Sequence, residues 1–143
     1  MKLSSSIGVL ALLAAFSALP GISDNAEAAG KKPTTRDITK IVRGSNAVPC
    51  NAQAIGQGNS PPVRAAEDLT NLSVSCSDNK NVSYNELRNY LPHPHACGST
   101  LDNLRKARRT VTIVSDPTNT NPYHCILSDI TPEEFIRSIK WQQ

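Results

Sequence analysis

Three histidines and one basic run carry most of the chemistry that this sequence can offer. His124 stands in "NPYHCILSDI" directly before Cys125, His93 and His95 stand in "PHPHACGS", and "LRKARR" sets Arg105, Lys106, Arg108 and Arg109 together. Histidine titrates near neutrality, so His124 with His95 or His93 could act as general acid and base. Arginine and lysine would hold a phosphate or another anion beside them. These are the groups that a secreted hydrolase of the ribonuclease-like kind would need. Neither HExxH nor CxxC occurs, and the cysteines are expected to be oxidised, so no metal site and no cofactor are expected.

The adjacent His124 and Cys125 do not form a dyad if they lie on a strand, because successive side chains then point to opposite faces. Tyr123, Cys125 and Leu127 make one apolar face, with Cys125 as half of a disulfide. His124, Ile126 and Ser128 make the other face. Arg109 precedes His124 by fifteen residues, a spacing similar to that of an Arg and a His in small microbial ribonucleases. Those enzymes place a Glu base shortly before the Arg, and between residues 87 and 108 this chain offers only Asp102. A hairpin pairing Ser115 with Tyr123 would also hold Arg109 some five residues along the strands from His124, at about 3.3 Å per residue.

The elements that must position these groups are legible in part. "TVTIVS" is almost wholly β-branched and "YHCILSDI" returns after the turn-rich "DPTNTNP", which predicts an antiparallel hairpin over about 110–130. "TPEEFIRSIK" predicts a helix with Thr131 as N-cap, Pro132 at its first position and Glu133 and Glu134 at the positive end of its dipole. Ser83 with Glu86 makes a capping box for a helix over 83–91, which must stop before Pro92. Ser99 or Thr100 can cap a further helix through "LDNLRKARR". "VRAAEDLTNL" is expected as a short helix and "LSVSCSD" as a half-buried strand. A short strand is expected at 37–43, a loop at 44–63 and a constrained loop through "PHPHACGS".

Residues 1–29 have one early positive charge at Lys2, an apolar run from Ile7 to Leu19 and the small-residue pattern Ala26-Glu27-Ala28, which predicts a secretory signal peptide and no transmembrane segment. An exposed basic tail over 30–45 and a compact disulfide-bridged domain over 46–143 are expected to follow. Without Lys2, Asp24 and Glu27 the remainder keeps fourteen Lys and Arg against ten Asp and Glu, a mildly basic balance that admits nucleic acid or glycan as an anionic partner. Four cysteines in an exported chain predict two disulfides, each contributing about 3 to 4.5 kcal/mol by closing a loop. The expected pairing is Cys50 with Cys125 and Cys76 with Cys97. Asn71-Leu72-Ser73 and Asn81-Val82-Ser83 are glycosylation sequons.

The fold expected is α+β, a small single domain whose antiparallel sheet is built around the hairpin, with short helices on one face. Two functional readings stand. The first is a secreted, extracellular, monomeric effector or toxin-like binding module, a virulence-type protein acting on a host or competitor macromolecule. The second is the hydrolase, which needs His124 to share a cleft with His93 or His95 and with the arginines.

Overall fold

The computed structural model describes residues 38–143; the expected signal peptide and the tail up to residue 37 lie outside the described residues. Ten elements follow in chain order: β1 (Lys40–Ser45), α1 (Ala52–Gln57), β2 (Leu72–Ser77), α2 (Tyr84–Arg88), β3 (His95–Thr100), α3 (Leu101–Ala107), β4 (Thr112–Ser115), β5 (His124–Ser128), α4 (Pro132–Arg137) and β6 (Trp141–Gln142). The strands form one antiparallel sheet in the order β4-β5-β2-β1-β3-β6. The hairpin is therefore one margin of the sheet, and β1 lies inside it, between β2 and β3. The expected tail boundary at residue 45 falls too late, since Ile38, Ile41, Val42 and Arg43 are already buried.

Strand alternation divides the side chains between two cores. On one face Ile41, Val74, Cys125 and Leu127 pack with Ile55 of α1, Leu101 and Leu104 of α3 and Phe135 of α4. On the other face Val42 and Ala96 pack beneath Leu87 of α2, with Tyr84, Leu91, Tyr123 and Trp141 around them. The Tyr84 ring stacks on Trp141 at a centroid distance of 5.4 Å. Gly98 permits this, because a Cβ there would lie 2.8 Å from the Tyr84 ring. That contact explains why β3 has small residues where the sequence reads as a loop.

Local signals placed three caps as expected. The Ser83 side chain accepts from the Glu86 amide, though the Glu86 carboxylate takes the Tyr123 hydroxyl instead of completing the expected box and the helix ends at Arg88; Thr100 accepts from Asn103, and Thr131 and Glu134 form a reciprocal capping box. The helix expected over "VRAAEDLTNL" is absent. Its amides and carbonyls go elsewhere: Leu69 N donates to Ile130 O, Glu133 N donates to Ala65 O, and Asn59 Oδ1 accepts from the amides of Thr70 and Asn71. Those partners leave only a turn at Arg64–Glu67. Conversely, a helix that the loop assignment missed, α1, begins at Asn51, whose side chain accepts from Ala54 N.

The disulfides join Cys50 to Cys97 and Cys76 to Cys125, with Cα separations of 6.3 and 6.0 Å. This corrects the expected pairing. Cys76 and Cys97 stand on strands separated by β1, so about 9.6 Å of sheet divides them, beyond the reach of a disulfide. Cys76 and Cys125 stand on the paired strands β2 and β5 and point to the same core. The hairpin register is also two residues away from the expected one, with Ser115 opposite Cys125. A two-residue slip preserves facing, so His124 and Cys125 do point to opposite sides. Tyr123 departs from its expected face because it lies in the turn before β5, where its ring meets Tyr90 edge-on and its hydroxyl donates to Glu86.

Candidate functional site

Each candidate histidine occupies a different place. His124, on β5, has a side chain 18% exposed; its Nδ1 lies 2.7 Å from the Asp116 carbonyl oxygen and 3.4 Å from the Asp116 carboxylate. A carbonyl can only accept, so Nδ1 carries the proton and Nε2 is the nitrogen left to act. Its cross-strand neighbour is Ser75, fully buried and holding Asn121 through a 2.9 Å bond from Asn121 Nδ2. His95 opens β3, and two strands lie between it and β5, which sets the backbones about 14 Å apart. His93 lies over Gly44, whose missing Cβ would fall 2.2 Å from the ring, and its Nδ1 is 3.2 Å from Asn46 Oδ1. His93 and His95 line different cavities. Among the described residues no three of His, Cys, Asp and Glu gather in a metal-binding group.

The basic run divides as well. Arg108 is engaged, with Nη1 2.6 Å from Asp68 and Nε 2.9 Å from Glu134. Burial pushes the Glu134 carboxyl up, but hydrogen bonds from the Thr131 amide and hydroxyl, together with the Arg108 charge, outweigh it and hold the group below the usual carboxylate range. Lys106 is exposed and faces two cations that the sequence reading missed, Arg137 at the end of α4 and Lys140 beyond it. With Asn103, Ala107 and Ser138 they surround a shallow cavity of about 300 Å³, and among the described residues no carboxylate and no aromatic ring lines it. The α3 and α4 packing that creates this cluster joins residues some thirty positions apart, so no local pattern announced it.

A second built feature lies where β1 meets the loops. Arg43 is 7% exposed, and its Nη1 donates to Ser73 O at 2.7 Å. Its Nε is buried without a hydrogen-bond partner among the described residues. Desolvation lowers its pKa from the ordinary guanidinium value. Burial and the Arg43 charge also lower the pKa of His93. In the sequence, "KIVRGS" places Arg43 at the same strand parity as Ile41, an inward charge that could have marked the position.

The molecule is a small disulfide-stapled α+β domain, and among the described residues no helix is long and apolar enough to cross a membrane. Both features are compatible with an extracellular protein. Comparison with protein-family models, with curated proteins and with solved structures finds no match to this chain.

Proposed function

We propose that this protein is a secreted binding module of the effector or toxin-like kind, acting outside the producing cell on an anionic glycan of a host or competitor surface. The observation that supports the reading is the convergence of Lys106, Arg137 and Lys140 from α3, α4 and the segment after α4 around one concavity without a carboxylate. Arg109, exposed beyond the end of α3, adds a fourth cation nearby in the chain. Clustered cations on a rigid frame attract sulfated or carboxylated polymers by charge. The lack of an aromatic ring in the lining favours a glycan over single-stranded nucleic acid, which binds by stacking its bases.

The hydrolase reading has less support. His124 has an orienting partner in Asp116, as a general base would, but His93, His95 and the Lys106 cluster belong to other parts of the surface.

The test is retention of the oxidised protein on heparin across a salt gradient, beside the variant with Lys106, Arg137 and Lys140 all changed to Glu. The proposal expects the variant to elute at clearly lower salt with unchanged thermal stability. Equal elution of the two would refute it. Incubation with RNA, with His124→Ala and His95→Ala as controls, should show no cleavage; cleavage lost in either variant would establish the hydrolase instead.

A further inference from the structure

The Arg43 cavity is separate from the basic patch and is built differently. It holds about 170 Å³ between the end of β1, the end of α1 and His93, lined by Arg43, Ser45, Asn46, Gln57, Gly58 and His93 among others. That volume suits a single small polar group and not a drug-sized molecule. A buried guanidinium normally has a carboxylate beside it, because an uncompensated charge in a low-dielectric site is costly. Among the described residues no carboxylate lies within ion-pair distance of Arg43.

The donors of Arg43 differ in what they can reach. Nη1 is used by Ser73 O. Nε is fully buried and has no partner among the described residues, and Nη2 runs past Gly58, where a Cβ would collide with it. With Nε closed off, Nη2 is the guanidinium nitrogen left to make a charge-assisted bond to an oxyanion in the cavity. Glycine at position 58 is what leaves Nη2 its room. His93 Nδ1 is committed to Asn46, so its Nε2 is the ring nitrogen free to become a second donor on protonation.

We infer that this cavity is an oxyanion-binding site, in which Arg43, through Nη2, holds a carboxylate, phosphate or sulfate group and His93 donates to the same group. The anion supplies the counter-charge that the described residues do not. The site is independent of the glycan-binding patch proposed above and does not require it.

The test uses the full oxidised chain and follows the His93 ring signals by NMR during titration with inorganic phosphate or with acetate, against sodium chloride at matched ionic strength. The expected result is a saturable shift of His93, with His124 and His95 unmoved, and a rise in the thermal midpoint. A preference for phosphate identifies a tetrahedral group as the natural ligand, and a preference for acetate identifies a carboxylate; both support the site. Two variants test the assignment. Gln57→Glu, at an exposed position beside Gly58, places a carboxylate in the cavity and should weaken phosphate binding roughly tenfold or more while raising the midpoint of the free protein. Arg43→Lys keeps the charge but loses the guanidinium nitrogen that runs past Gly58, and should also weaken binding. A His93 signal that does not respond, or a Gln57→Glu protein that titrates like the parent, overturns the inference.

Discussion

Replacing Cys76 and Cys125 together by alanine tests how the fold is held. The bridge spans 49 residues, for which the chain-entropy expression gives about 4 kcal/mol at 25 °C. The bridge from Cys50 to Cys97 spans 47 residues and should contribute the same within a few tenths of a kcal/mol. All four cysteines are at most 6% exposed, so the small cavities left by alanine nearly cancel in the comparison. The local settings differ, however: Cys76 and Cys125 stand on strands already paired by a ladder, whereas Cys50 stands in a loop. Urea unfolding distinguishes the accounts. With a slope of about 2 kcal/mol/M, each double variant should lose about 2 M in its midpoint. A chain lacking both bridges would lose about 8 kcal/mol, most or all of the stability of a domain this size. Unequal losses, with the β2–β5 bridge contributing under about 1 kcal/mol, would refute the entropic account and show that native pairing already does that work.

Three further outcomes are expected. Glu134→Gln removes a carboxylate whose pKa is lowered in the folded state, so its stabilising effect is present above the unfolded value of about 4.3 and lost as pH falls through the folded one. The variant should be about 1 to 2 kcal/mol less stable at pH 7 and match the parent in strong acid, as read from urea midpoints against pH. His93 has a lowered pKa in the folded state, so the unfolded chain takes up its proton first and stability should fall as pH drops through the ordinary histidine range near about 6.5. His93→Gln should flatten that limb in midpoints measured between pH 7.5 and pH 5.5, a range of about one unit on either side. Gly98→Ala crowds Tyr84 and the Ile41 carbonyl and should cost about 1 to 3 kcal/mol, with a change in the fluorescence of Trp141, the only tryptophan in the chain.

What the sequence disclosed was local, and what it concealed was tertiary. The caps at Ser83, Thr100 and Thr131 depend on side chains a few residues apart and could be read directly. The β4–β5 hairpin announced itself through β-branched residues and a Pro-rich turn, and its facing survived a register error of two. By contrast β3 has the composition of a loop and is a strand through its six-residue pairing with β1, with Gly98 leaving room for the Tyr84 ring. The disulfide pairing followed from a sheet order that places β1 between Cys76 and Cys97, which no spacing along the chain could show. The candidate sites followed the same rule. His124 was found as an outward histidine on β5, whereas Gln57, Gly58, Arg137 and Lys140 became noticeable only once helices and strand ends had met around cavities.

The position of β1 has a consequence for the chain before it folds. It is the first strand in sequence among the described residues, yet both its edges are paired in the finished sheet with strands that come later. Until β2 and β3 are in place, the segment around Ile41 and Val42 is an apolar strand open on two sides, the kind of template on which copies of a chain stack into aggregates. Lys40 and Arg43 flank that pair. In-register stacking would bring identical cations together on every added layer, so the two charges act as gatekeepers during folding. The arginine that has no carboxylate partner among the described residues thus also guards the strand through its unpaired interval.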